Sequence, residues 1–466
     1  MPYIFYDTET TGVETRFDQI LQFAAIKTDD ELNEIDSFEI RCRLLPHVVP
    51  SPGALMTTRV TPDMLVDKLL PSHYEAVRKI RATLSAWSPA TFIGFNSLAF
   101  DEELFRSTLF QTLHSPYLTN TQGNRRSDVM RIAHAASAFA PGSIVVPQNG
   151  GKDTFRLDKL APANGYNFTN AHDALADVRA TIYIANHIRK AAPDVWKAMD
   201  GFSRKDAVMN FVDQNPTFTM MDRFYGKAHS WIVAPCGTNA NNSNQVVVFD
   251  LAYDPDAFKN KSVEELIDVM NSNHKAIRTF RANAQPILMS EDDAPEGTKS
   301  LALSKAERLR RSKLVLGDDD FKERVCEAAE NRFADQEKST YVEEQIYDGF
   351  ANEDEPLMEK FHTLDWPKRY SALSGFKDVR ISELANRLVF FEHPDAFDKA
   401  KRDKLNAWMD ERISTNDDVP WMTTQKAIDE ADKMLVSAEG AEVKALKDMK
   451  RFFEDFPKVM KHPGSR

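Results

Sequence analysis

The sequence predicts an α/β layer domain, then a small β-rich domain with a helical insertion, then an all-α region. Three patterns carry that prediction. Apolar runs of strand length crowd the first 45 residues, and helical patterns interleave with further strands up to about residue 195. Short runs rich in Val, Thr and Phe recur between Thr217 and Phe280. From about Ser304 onward β-branched runs thin out and apolar residues recur at helical spacing, as in Leu384, Leu388 and Phe391. A chain of 466 residues has room for two to four domains. The expected divisions are 1–195, 196–340 and 341–466.

Taken in order, Tyr3–Tyr6 is an apolar strand that runs into Asp7-Thr8-Glu9-Thr10-Thr11-Gly12. Ile20–Lys27 reads as a second strand and Ser37–Leu45 as a third, with polar turns that suit an antiparallel meander. Pro50–Thr61 is loop-like. A helix is expected from about Pro71 to Trp87, a short buried strand at Thr91–Phe95, and a helix within Asn96–Leu113. Further helices are expected over 126–140 and 154–163, with a loop carrying Gly150 and Gly151 between them. A longer helix is expected from near Asn170, its N-cap, to about Lys190. Beyond it, Thr217–Met221, Ser230–Pro235, Gln245–Asp250 and Ala276–Phe280 read as strands and 262–272 as a helix.

Composition excludes some classes. A net charge of −12 argues against a protein that coats nucleic acid non-specifically, though not against a local basic groove. No apolar stretch is long enough to span a bilayer, so no membrane association is expected. No basic-then-apolar leader precedes the strand at residue 3, so no cleaved signal is expected. Cys42, Cys236 and Cys326 are far apart without metal spacing and read as thiols of a reducing cytoplasm.

Alternation along a strand sends Asp7 and Glu9 to one side. Two like charges side by side are costly unless something positive lies between them, and an oxygen-preferring divalent cation is the natural occupant. An acidic strand end running into a Thr/Gly turn explains the pair equally well. A third carboxylate, Asp101, follows Gly94-Phe95-Asn96 where a strand exits into a helix, a place the helix dipole alone favours for an acid. A last set arrives at His172-Asp173-Ala174-Leu175-Ala176-Asp177, with His172 at a helix start and Asp177 one turn inside. Each residue taken singly has a structural explanation. Together, four carboxylates and one imidazole are the kit for two-metal phosphodiester hydrolysis, with the imidazole as base for the attacking water.

In that order and spacing, these residues resemble the DnaQ-like DEDDh 3′→5′ exonucleases. The resemblance implies a ribonuclease-H-like fold, a mixed sheet with helices on both faces. It implies Asp7, Glu9, Asp101 and Asp177 as ligands of two Mg²⁺ ions, with Mn²⁺ as a substitute, and His172 as general base. Proofreading subunits and oligoribonuclease are little more than this domain, whereas more than half of this chain lies beyond it. Over its whole length the chain is similar to the exonuclease I family of bacterial single-strand exodeoxyribonucleases. Phe23–Asp29, Pro52-Gly53-Ala54, Asp128–Arg131, Phe155–Leu160, Ser230–Pro235 and Glu344–Phe350 carry that similarity, which weakens after about residue 200.

It implies an SH3-like β-barrel and a C-terminal helical domain closing around single-stranded DNA. It further implies a processive monomer active in DNA repair, with Thr8, Glu9, Arg156, Arg106, Arg131 and Tyr117 as substrate contacts. Relatives also dock the acidic C-terminal tail of single-stranded DNA-binding protein. Arg308-Leu309-Arg310-Arg311-Ser312-Lys313 with Lys322 is the best local candidate for that, beside the simpler reading of a solvated helix face. Two other functions stay open: a DEDDh 3′ exoribonuclease, and a catalytically silent nucleic-acid-binding scaffold. The latter should have lost a carboxylate or the histidine.

Overall fold

The computed structural model describes residues 1–167, 172–334 and 337–460. Its first sheet is built on the strand that carries the acidic pair. Strand β1 (Tyr3–Thr10) pairs antiparallel with β2 (Ile20–Thr28), and β2 with β3 (Glu34–Arg41). On its other edge β1 pairs parallel with β4 (Thr91–Gly94), and β4 with β5 (Arg125–Asp128). The sheet is therefore mixed, in the order β3-β2-β1-β4-β5.

Alternation splits the two central strands between two cores. Tyr3, Phe5, Ala24 and Ile26 face the helices Val129–Phe139 and Ala174–Ala191. Ile4, Tyr6, Phe23 and Ala25 face the helices His73–Trp87 and Asp101–Gln111. Helices on both faces of a mixed sheet are what the sequence led us to expect. Burial on both sides explains why β1 reads as a near-continuous apolar run until Asp7.

Several boundaries differ from expectation, each for a local reason. Residues 125–128 form β5 and not the start of a helix; Arg-Arg-Ser-Asp carries no apolar alternation, and its order comes from backbone pairing with β4. The loop before 154 contains a hairpin, β6 (Gln148–Asn149) and β7 (Lys152–Asp153), turned by Gly150 and Gly151 at positive φ. The following helix is confined to Leu157–Ala163. The long helix starts at Ala174, where the Asp173 side chain caps Ala176 N at 3.2 Å. Asn170, the expected cap, lies outside the described residues. Two short helices, Pro52–Thr58 and Pro62–Leu65, replace the expected loop; Ser51 and Thr61 cap them and proline takes their first turn.

The middle region is a five-stranded antiparallel sheet: β8 (Phe218–Phe224), β9 (Lys227–Asn239), β10 (Asn242–Asp250), β11 (Ile277–Arg281) and β12 (Ile287–Ser290), ordered β11-β10-β9-β8-β12. Strand β12 and the helices Pro193–Gly201 and Lys205–Gln214 go beyond the expected elements. Val315, Phe321 and Val325 of the next two helices share a core with Ile232, Val247 and Phe249 of the sheet. The C-terminal helices are docked on the first domain through two further cores. In one, Leu384, Leu388 and Phe390 pack with Phe110 and Leu113. In the other, Phe453 and Phe456 pack with Leu21, Val49 and Leu55. Among the described residues no helix is long and apolar enough to cross a membrane.

Candidate active site

Asp7 and Glu9 project from the C-terminal end of β1, and Asp177 meets them from the first turn of the helix Ala174–Ala191. Carboxylate oxygens of these three residues all lie within 4.8 Å of one another. Thr8, between the two acids, ties the strand to the fourth. Asp101 Oδ1 accepts from the Thr8 backbone N at 3.1 Å and from Thr8 Oγ1 at 2.5 Å.

The loop that delivers Asp101 is itself pinned. Asp128 accepts from the backbone N of Asn96 at 2.9 Å and of Leu98 at 3.2 Å, while Asn96 takes φ of 62°. A Cβ on Gly94 would lie 2.7 Å from the Tyr6 carbonyl O, so only glycine lets β4 pass this close to β1. The sequence reading quoted Asp128 as part of a motif but missed this positioning role. An Asp at the start of a helix, capping Met130 N, was the available signal.

Electrostatically the cluster is unresolved within the protein. Among the described residues no basic side chain forms an ion pair with any of the four acids; Arg41 turns to Asp173 and Arg156 to Asp158 instead. Burial, then repulsion from Asp101, Asp177 and Glu9, holds the Asp7 carboxyl well above the usual range. Burial and the same neighbours push Glu9 up to about 8. Asp101 and Asp177 are raised to about 7, again mainly by burial, although Thr8 bonds oppose it in the first and the His172 backbone N in the second. Hard oxygen donors, close together, partly buried and uncompensated, fit a divalent cation.

His172 sits at φ of 67°, and its backbone N donates to Asp177 Oδ1 at 3.3 Å. That bond brings the ring into the cavity that Asp177 lines. Partial burial lowers the ring's pKa, and Arg156 and Arg59 push the same way against Asp158, so the ring is neutral near pH 7.

Two cavities adjoin at the cluster, since Asp177 lines one and Glu9 the other. The first, about 460 Å³, is lined by His172, Asp177 and Arg156 and by Phe224 and Tyr225 of the barrel. The second, about 680 Å³, is lined by Thr8, Glu9 and Thr10 and by Trp421, Met422 and Lys426 of the C-terminal region. Glu430 anchors that region by accepting from Ser51 Oγ at 2.8 Å and from Gly53 N at 2.9 Å. Contacts this remote in sequence leave no local signal.

The remaining expected substrate residues fare unequally. Arg156 is 62% exposed and stands in the first cavity, paired with Asp158 at 3.0 Å. Arg106 does not reach the cluster; it is buried and bonded to Glu102 at 2.7 Å, and an Arg four residues after a Glu on one helix face is built for that pair. Tyr117 lies with it, its ring 5.3 Å from the Arg106 guanidinium and away from the carboxylates. Arg131 also points elsewhere, its Nε donating to the Gln285 carbonyl O at 2.9 Å beside Arg278 and Arg281. The basic run 308–313 offers little free charge. Arg308 pairs with Glu291, Arg310 with Asp254, Asp256 and Glu307, Arg311 with Glu307, and Lys322 with Asp319.

A ribonuclease-H-like sheet with acids at the end of its central strand, an SH3-like domain and a helical C-terminal domain together define a three-part exodeoxyribonuclease. Residues 4–185 match the exonuclease domain model, 203–318 the exonuclease I SH3-like domain and 340–456 the exonuclease I C-terminal domain. The chain belongs to the exonuclease I family. It is 28% identical over 432 residues to exodeoxyribonuclease I of Escherichia coli (strain K12), covering 88% of this chain and 89% of that one. It is 30% identical over 296 residues to exodeoxyribonuclease I of Buchnera aphidicola subsp. Acyrthosiphon pisum, covering 61% and 71%. The fold is shared with exonuclease I from Methylocaldum szegediense at a TM-score of 0.86 and 23% identity, over 98% and 99% of the two chains. It is also shared with E. coli exonuclease I in complex with a dA16 oligonucleotide, at a TM-score of 0.83 and 23% identity over the same shares.

Proposed function

We propose that this chain degrades single-stranded DNA from its 3′ end, processively, releasing 5′-mononucleotides. One observation carries the reading: buried Glu9 and half-buried Asp7 and Asp177 bring carboxylate oxygens within 4.8 Å of one another, buried Asp101 is tied to their strand, and a neutral histidine adjoins them. Relatives named exodeoxyribonuclease I and a structural neighbour holding an oligonucleotide favour DNA over RNA.

In this mechanism Asp7, Glu9, Asp101 and Asp177 would hold two divalent cations, Mg²⁺ by preference, which would supply Lewis-acid stabilisation of the scissile phosphate and the leaving 3′ oxygen. A ring nitrogen of His172 takes the proton from the attacking water, and the Asp177–His172 backbone bond sets the distance between base and ligand. Thr8 fixes Asp101 and with Thr10 borders the cavity for the terminal nucleoside, whose far wall is Trp421 and Met422. Arg156 reaches a phosphate on the 5′ side of the cut.

We further assign the enzyme to the cytoplasm, as a monomer acting in DNA repair, with divisions near residues 195 and 340. An acidic protein tail docking at Arg308–Lys313 with Lys322 remains part of this reading, where it would compete with the pairs that Arg308, Arg310 and Arg311 already make.

The test uses 3′-end and 5′-end labelled single-stranded DNA with Mg²⁺, beside duplex and RNA, with Asp177→Ala in parallel. Mononucleotides released from the 3′ end of single-stranded DNA, and lost in the variant, are the expected result. Cleavage of RNA alone would establish the exoribonuclease instead. Binding without any cleavage would establish the scaffold.

A further inference from the structure

The β8–β9 hairpin ends in a two-residue turn, Tyr225–Gly226, with Phe224 paired to Lys227. The type I′ form of such a turn needs positive φ at both central residues and favours Asn-Gly. Here Tyr225 takes φ of 55° and Gly226 takes 74°. A bulky side chain is disfavoured in that region. Tyr225 is also 90% exposed, so packing does not offset the strain. A strained aromatic residue at a cavity mouth is a mark of function more than of stability.

The hairpin tip is held against the exonuclease domain. Arg223 ion-pairs with Asp153 of β7, and its guanidinium lies 4.5 Å over the Phe155 ring. A Cβ on Gly226 would come within 3.3 Å of Lys152 Cβ. The tip thus becomes a wall of the cavity that contains His172, Asp177 and Arg156. Behind it, Phe224 stacks on His229 at 4.2 Å and 11°, and Trp231 lies near-parallel to Phe224 at 6.1 Å and 22°.

We propose that Tyr225 is a specificity-determining residue contributed by the barrel. Its ring stacks on an unpaired base on the 5′ side of the scissile phosphate, and the hairpin fills the space that a complementary strand would occupy. Stacking on an aromatic face is indifferent to base identity but needs an unpaired base, which gives single-strand preference without sequence preference. This inference rests on the single-strand exonuclease reading above.

The test compares wild type, Tyr225→Asn and Tyr225→Trp on single-stranded and blunt duplex DNA. Asn suits the turn better than Tyr, so Tyr225→Asn folds with an equal or higher Tm. Its KM for single strands rises about tenfold, as loss of one stacked base predicts, and the ratio of single-strand to duplex kcat/KM falls. Tyr225→Trp restores both. In an Asp177→Ala background, 2-aminopurine next to the 3′-terminal nucleotide is quenched on binding, and the added Tyr225→Asn removes that quenching. Wild-type digestion of single strands with unchanged KM, selectivity and quenching in Tyr225→Asn would overturn this inference alone. A wild-type protein that does not digest single strands from the 3′ end would overturn the functional reading as well.

Discussion

Asp101 and Glu102 are neighbours on one helix turn, both buried, and they end in opposite electrostatic worlds. Glu102 is 0% exposed, yet its carboxylate accepts from Arg106 at 2.7 Å, Thr119 at 2.5 Å, Tyr6 at 3.1 Å and Arg126 at 3.3 Å. Asp101 accepts from the Thr8 backbone N and hydroxyl, forms no ion pair among the described residues, and faces Asp7, Glu9 and Asp177. One site is internally neutralised and serves the fold. The other gathers carboxylates that no basic side chain among the described residues neutralises, and burial and mutual repulsion raise their pKa values. Burial alone therefore does not mark function; burial without a counter-charge does.

The largest effects should fall on the uncompensated side. Asp7→Asn is expected to lower kcat on single-stranded DNA at least about 10³-fold, the scale of several kcal/mol of charge stabilisation. The same change should raise the Tm of the metal-free protein, because it removes a carboxyl whose ionisation is opposed by burial and by Asp101, Asp177 and Glu9. His172→Ala should cost about 10²–10⁴-fold in kcat, the range for a lost general base, with little change in Tm.

On the compensated side the signs reverse. Glu102→Gln strands Arg106 and Arg126 in the interior and is expected to destabilise by about 3–5 kcal/mol. Denaturant unfolding would measure this, and the gain in Tm on adding Mg²⁺ should survive in the folded protein. If Glu102→Gln proved neutral, the contrast between the two sites would lose its basis.

A smaller effect is the pH dependence of metal stabilisation. Glu9 titrates near 8, and Asp101 and Asp177 near 7, in the metal-free fold. These folded values lie above the ordinary carboxylate range, so the groups destabilise the metal-free fold increasingly as pH rises from about 4 to 8. The difference in Tm with and without Mg²⁺ is therefore expected to be largest near pH 8 and to shrink toward pH 6 as protons compete. Buried neutral histidines such as His362, lowered to about 4, weaken the fold below about pH 6.5. That contribution is common to both samples and cancels in the difference. The smallest effect belongs to Arg156→Ala. Its exposed pair with Asp158 contributes about 0–1 kcal/mol, so stability should hold. KM should rise, and the salt dependence of binding should flatten by about one phosphate contact.

The contrast was half legible in the sequence. The order Asp7, Glu9, Asp101, His172, Asp177 was readable because strand alternation and helix turns fix where those side chains point. The pairing of Arg106 with Glu102 was readable from their spacing of four, whereas its position near Asp101 and the family resemblance pointed toward substrate instead. The pairing of 308–313 with Asp254, Asp256 and Glu291 depends on how the barrel's loops fold back, which no local pattern encodes. The same holds for Trp421 and Tyr225, which reach the site from separate domains. Strand β5 was missed because tertiary pairing overrode a polar sequence of weak strand preference.

The most direct test of the central claim is a thermal melt of wild type, Asp7→Asn and Glu102→Gln in EDTA and in Mg²⁺ at pH 8. An uncompensated metal site predicts that Asp7→Asn melts above wild type in EDTA and gains nothing from Mg²⁺. It predicts that Glu102→Gln melts well below wild type and still gains. Asp7→Asn melting below wild type in EDTA while keeping the full Mg²⁺ gain would contradict the account.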